Sequence, residues 1–150
     1  EIQALTSTTN IGFARRTAIG IDIARLNMII AVLERKAGLS LLNQDIYVNV
    51  VGGLKPEGTY TDLSVAMSIY SSFRDKAFSD KTILLGEIGL TGELRNVQNA
   101  EKIVKEAVRM GFKKIILPCG NAKKLGSSMG DDVLIQGVKD INEAICASFL

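Results

Sequence analysis

The chain opens on a short alternation of apolar and polar positions over residues 1–7, with Ile2, Ala4 and Leu5 apolar, which predicts a half-buried strand. A polar stretch follows and carries the basic pair Arg15 and Arg16. Apolar positions then run through 22–37 at a length that predicts a helix, with Asp22 as its N-cap and Gly38 as its stop. Its middle, 28–33, is apolar all round and so places the helix between two layers. Strand alternation at Ile46, Val48 and Val50 is broken by Gly52 and Gly53. A second helix starts at Thr61 or Asp62 and reaches Arg74, with Leu63, Ala66, Met67 and Tyr70 on one face.

The second half alternates its periods. A strand over 81–90, a turn at Gly92 and an extension to Val97 lead into a helix over 98–110 with Ile103, Ala107 and Met110 in register. A strand over 112–117 ends at Pro118, and a short helix (122–125), a strand (133–136) and a terminal helix from Asp140 follow. This β-α-β-α-β-α order predicts right-handed crossovers in a layered α/β sheet. No repeat, low-complexity tract or linker divides the chain, so 1–150 reads as a single domain. The first residue is not Met and already sits in a strand pattern, so a fragment of a longer polypeptide is expected.

Composition narrows the chemistry. Apolar residues make up 47% and charged ones 23%, the balance of a chain that folds around a core. The formal charge of +2 does not by itself announce nucleic-acid binding, so any such role needs the 18 Lys and Arg residues gathered on one face. There is no histidine, and Cys119 and Cys146 stand far apart without a CxxC. A zinc site is not expected, and both cysteines read as reduced, buried thiols of a cytoplasmic protein. No apolar run approaches the roughly 20 residues that span a bilayer.

Glycines recur, but neither GxxxxGK[ST] nor a strand-bounded GxGxxG occurs. In GEIGLTGEL the neighbours Glu87 and Glu93 would repel a phosphate, so its glycines read as tight turns. Without histidine, Ser-His-Asp and Cys-His catalysis are excluded. A Ser-Lys or Thr-Lys dyad remains conceivable, because desolvation can lower a lysine pKa enough for it to act as a base.

At this point the motifs become specific. The loop GGLKPEGTYTDLSVAMSI and the later GEIGLTGELRNVQNAEKIVKEAVRMGFKKIILP resemble the proteolytic domain of Lon-type proteases. That family delivers a serine from a PKDGPS loop and a lysine from the segment after GE-x-L-x-G. The resemblance puts the serine position on Tyr60 and the lysine position on Glu101, a degenerate dyad with no catalytic residue. A phenol is a poor acyl-transfer nucleophile near neutral pH, and a carboxylate cannot replace an ammonium. Lys102 is adjacent, but one helical step turns a side chain by about 100° and is expected to carry it out of the site. Thr59, Thr61 and Ser64 are the hydroxyls left nearby.

The opening EIQAL, then RRTAIGID-x-x-R-L-x-M-x-x-AVLE-x-x-AGL, then NVVGGLK, narrow this further. The chain is similar throughout to the C-terminal Lon protease-like domain of the bacterial RadA (Sms) DNA-repair family. That resemblance implies the Lon-like fold shared with ribosomal-protein and kinase relatives. It also implies a cytoplasmic, ATP-dependent protein of DNA recombination whose zinc finger and RecA-like ATPase parts lie outside this sequence. ATP, Mg and Zn belong to those parts, and no cofactor is expected in this domain. The implied partners are further copies, in a hexameric ring, and DNA recombination intermediates, with no membrane.

Contact with DNA would then work by phosphate neutralisation, without base reading. The candidates are Arg15, Arg16, Arg25 and Lys55, with Lys113, Lys114, Lys123 and Lys124 as a second group. For the lysine pairs the competing reading is a solvated surface. For the arginines it is a salt bridge, within the domain or between subunits, and Arg25 has Asp22 one turn back. The implied function is a non-proteolytic ring scaffold that contacts DNA, not itself an enzyme. The alternative is a residual Ser/Thr-Lys peptidase.

Overall fold

A computed structural model of the chain describes residues 1–10, 12–53, 55–79, 81–126 and 132–149. Three strands form the first sheet: β1 (Ile2–Thr8), β2 (Arg16–Ile19) and β3 (Gln44–Val50), in the order β1-β3-β2. β1 runs antiparallel to β3, with Ile2 opposite Val50 and Thr8 opposite Gln44, while β2 runs parallel to β3. Alternation decides the faces. Ile46, Val48 and Val50 are buried, and Tyr47 between them looks outward. On β1 the inward set is Ile2, Ala4 and Thr6, so Leu5, expected on the buried side, is 59% exposed opposite Tyr47.

Helix α1 (Ile23–Ala37) lies between β2 and β3 in the chain. The Asp22 carboxylate accepts the Arg25 N–H at 2.9 Å, which supplies the N-cap. Gly38 closes the other end at φ 65°, its N–H donating to the Leu33 carbonyl, a conformation that suits a residue without Cβ. Leu26, Ile29, Ile30, Val32 and Leu33 are buried, but Asn27 and Ala31 are exposed, so the helix keeps one free face instead of being sandwiched. α2 (Asp62–Arg74) buries Leu63, Val65, Ala66, Met67 and Ile69 and joins α1 and the first sheet in the larger core.

The second sheet is parallel, ordered β4 (Thr82–Leu84), β7 (Lys114–Pro118) and β8 (Leu134–Val138). Between its first two strands come the hairpin β5 (Glu87–Ile88) and β6 (Leu94–Arg95) and helix α3 (Ala100–Arg109). α4 (Cys119–Leu125) and α5 (Ile141–Phe149) follow, and the cysteines they carry are not buried as expected: Cys119 is half-buried and Cys146 is exposed. The layered α/β class expected from the sequence is thus what the chain adopts, with a smaller core of Leu85, Val104, Ile115 and Leu117 under α3.

Residues 81–90 do not form one strand. They break at Leu85 and Gly86 because those amides serve different neighbours: Leu85 N–H donates to Ile116 O at 2.9 Å and Gly86 N–H to Tyr60 O at 3.0 Å. That break brings the loop before α2 alongside the second sheet.

Candidate functional site

The loop at 55–61 is held by backbone hydrogen bonds on both sides of Tyr60. Asp62 N–H donates to Thr59 O at 3.1 Å, and Leu63 N–H donates to Gly86 O at 3.1 Å. Leu54, at the start of the loop, lies outside the described residues. The Thr59 hydroxyl donates to the Glu87 carboxylate, which also lies 3.6 Å from Arg95. Beside this loop opens a cavity of about 1020 Å³, lined among others by Thr59, Tyr60, Ile83, Glu87, Lys102 and Ile103.

Tyr60, the position that the resemblance gives to the nucleophile, lies at the cavity wall. Glu101 does not share that wall. Its side chain is 65% exposed and pairs with Lys105 at 2.6 Å, a hydrogen bond and charge that hold its carboxyl below the usual range. Lys102 lines the cavity together with Ile103, Glu106 and Ala107 of α3, which corrects the expectation that one helical step carries Lys102 away from it. The cause is the seating of α3 on Ala100, Val104 and Ala107. That seating leaves Lys102, Glu106 and Met110, spaced four apart, on the cavity side. The four-residue spacing is the signal that could have found Lys102. Met110, expected in the core register, is 72% exposed at the end of that row.

The arginines divide. Arg25 does not use Asp22 as its side-chain partner. Its guanidinium is paired with Asp62, which is 3% exposed on α2: Nε donates to Oδ1 at 3.0 Å and Nη2 to Oδ2. Nη2 also donates to the Ile88 carbonyl at 3.2 Å, and Ile88 N–H returns a bond to Asp62 Oδ2 at 3.0 Å. The hydrogen bond to Asp62, against the cost of burial, raises the Arg25 pKa above its already high ordinary value. Arg16 is likewise turned inward to backbone carbonyls, donating to Gln44 O and, at 3.0 Å, to Leu41 O.

Arg15 and Lys55 remain exposed. The Arg15 backbone N–H donates to Asp45 Oδ1 at 2.7 Å, and this bond, with the Thr9 hydroxyl, holds the Asp45 carboxyl below its usual range. Lys55 borders a small cleft shared with Gly20 and Arg25. Lys113, Lys123 and Lys124 are exposed and Lys114 is half-buried on β7. Among the described residues no three His, Cys, Asp or Glu side chains are grouped to hold a metal ion. Among them, too, no helix is long and apolar enough to cross a membrane.

A layered α/β domain with a helix-opening loop over a cavity defines a class before it defines a protein. A family model described as subunit ChlI of Mg-chelatase matches residues 4–121, and the chain belongs to that family. The resemblance read from the motifs also holds. The chain is 45% identical over 145 residues to the DNA repair protein RadA of Listeria monocytogenes, covering 97% of this chain and 31% of that protein. It is 45% identical over 148 residues to RadA of Bacillus subtilis, covering 99% and 32%. RadA of Streptococcus pneumoniae is 41% identical over 145 residues, covering 97% and 34%. The chain spans about a third of the length of these curated relatives.

Proposed function

We propose that this chain is the Lon-like part of a RadA-type DNA-repair protein, serving as a non-proteolytic assembly module with a sequence-independent DNA contact. The observation that carries the non-proteolytic half is the cavity wall. A phenol stands at the nucleophile position, and the neighbouring Thr59 hydroxyl is already donated to Glu87. Assembly into a ring is supported by the uncovered face of the first sheet, where Leu5, Tyr47 and Ile19 are exposed. ATP turnover, with its Mg and Zn sites, is assigned to the remainder of a RadA-length protein.

Of the four cations expected at DNA, Arg16 and Arg25 are committed to internal acceptors, which leaves Arg15 and Lys55 as the exposed candidates, with Lys55 taken as the contact. Phosphate neutralisation makes such binding steeply salt-dependent, and repetition around a ring multiplies a modest charge per copy. Light scattering combined with a DNA titration at two salt concentrations tests both halves. Multimers whose DNA affinity falls with salt and with Lys55→Ala are the expected result. Multimers that bind no DNA at low salt would remove the DNA contact and leave the scaffold.

A second reading, a residual Thr-Lys peptidase, has one observation in its favour: Thr59 and Lys102 line the same cavity. It requires turnover of a fluorogenic peptide or activated ester that disappears in both Thr59→Ala and Lys102→Ala. Turnover at the level of buffer alone dismisses it.

A further inference from the structure

Two unlike features stand at opposite ends of the first sheet. At the end where Thr8 meets Gln44, the segment leading to β2 holds Phe13 in solvent, 97% exposed, the most exposed large apolar side chain described. Arg15 follows, also exposed, and its guanidinium has no ion pair among the described residues. At the other end, where Val51 N–H donates to Glu1 O at 3.0 Å, Glu1 borders the cavity of about 1020 Å³. Between them runs β1, seven residues long. At roughly 3.3 Å per residue, that separates the knob from the hole by about 20 Å within one chain.

The hole suits the knob. It is lined by Ile83, Val97, Ile103 and Phe112, by the carboxylates Glu57, Glu87 and Glu106, and by Lys102. Glu106 already lies 3.3 Å from Arg109, whereas Glu57 has no ion pair among the described residues. An aromatic ring followed two positions later by a guanidinium matches a partly apolar recess that has the Glu57 carboxylate in its lining without an ion pair among the described residues. The same carboxylates disfavour a phosphate backbone there. A knob at one end and its complement at the other make a heterologous contact, which on repetition closes into a ring or grows as a filament.

We propose that residues 12–15 of one copy seat in the cavity of the next, with the Phe13 ring among the apolar walls and the Arg15 guanidinium at Glu57. This rests on the ring-assembly reading and adds a directional contact to the exposed sheet face named there. It withdraws Arg15 from the DNA face and leaves Lys55 there. The cavity beside the Tyr60 loop becomes the socket of a subunit contact.

Self-association of this chain measured by sedimentation, together with photo-crosslinking from a benzophenone side chain at position 13, tests it. Phe13→Ala is expected to weaken self-association at least about tenfold, as a buried aromatic anchor does. Arg15→Glu should weaken it in the same direction, and Arg15→Glu with Glu57→Arg should recover most of the loss. Crosslinks should fall on cavity residues of α3. Multimers that persist in Phe13→Ala, with crosslinks landing outside the cavity, overturn the docking while the ring stands. A wild-type chain that stays monomeric at every concentration removes the ring reading and the docking together. Phe13 makes no core contact, so loss of folding does not confuse the result.

Discussion

The junction of α1 and α2 and the outer face of α3 handle charge in opposite ways. At the junction, charge is sealed inside. Asp62, 3% exposed, takes the Arg25 guanidinium and the Ile88 N–H together and ties both helices to the hairpin. On α3, charge is laid outside, as Lys105–Glu101 and Arg109–Glu106 pairs with every partner more than half exposed. A buried pair costs several kcal/mol when one partner is removed, whereas exposed pairs contribute little. The first arrangement fixes where α2 begins, and so where the loop of Tyr60 lies. The second leaves α3 free to change Glu101 and Lys105, which do not line the cavity, without moving it.

The largest expected effect breaks the sealed pair. Asp62→Ala strands the Arg25 guanidinium and removes the acceptor of Ile88 N–H, and should lower the unfolding free energy by roughly 3–5 kcal/mol. Urea unfolding of the variant against wild type measures this. Replacing both partners, as Arg25→Met with Asp62→Leu, should cost much less, because no buried charge is left behind. A loss below about 1 kcal/mol for Asp62→Ala would show that the junction is no better sealed than the α3 face.

A second effect, of intermediate size, belongs to the parallel sheet. A Cβ at Gly137 on β8 would come within 2.9 Å of the Ala122 Cβ and 3.1 Å of the Cys119 Cα. One of these contacts is backbone, so α4 has to move as a body. Gly137→Ala should cost about 1–3 kcal/mol, the range of core overpacking, in the same urea experiment. A neutral result would mean that α4 yields as easily as an exposed ion pair.

The sealed junction also explains what could be read from the chain beforehand. α1 was legible because both its ends are local: Asp22 caps three residues ahead and Gly38 supplies the left-handed stop. The partner of Arg25 was not legible, because Asp62 is 37 positions away and Asp22 is nearer. β2 escaped notice because it is four residues long, starts with Arg16 and pairs with a strand that follows α1. Tyr60 was singled out by a loop motif, and in the fold it lines the cavity. Lys102 was not, because the rotation of α3 is set by the seating of Ala100, Val104 and Ala107 against the rest of the molecule.

The hairpin offers a smaller effect that pH can read. Glu93 accepts the Thr91 hydroxyl and, at 2.7 Å, an Arg95 N–H, and these bonds lower its pKa from 4.5 to about 2. A carboxyl depressed on folding stabilises the chain above its unfolded pKa, and that contribution fades as pH falls toward the folded value. The stability difference between wild type and Glu93→Gln should therefore be constant above about pH 4.5 and shrink toward pH 2. Thermal melts across that window measure it. A difference that does not change with pH would place the stabilising bonds elsewhere in the hairpin.

The smallest effect is the sharpest for the site. Glu101 holds the position that the Lon resemblance gives to lysine, yet it faces solvent beside Lys105, while Lys102 lines the cavity. Glu101→Ala should leave the urea midpoint within the scatter of repeat measurements, as expected for one member of an exposed i, i+4 pair. Glu101→Lys should create no peptidase activity, because the new ammonium would lie on the outward face of α3 and Tyr60 would still stand at the nucleophile position. Fluorogenic peptide turnover by Glu101→Lys above the wild-type level would mean that α3 can rotate by one residue and bring that face into the cavity. The contrast between a sealed junction and a permissive helix face would then extend to the seating of α3 itself.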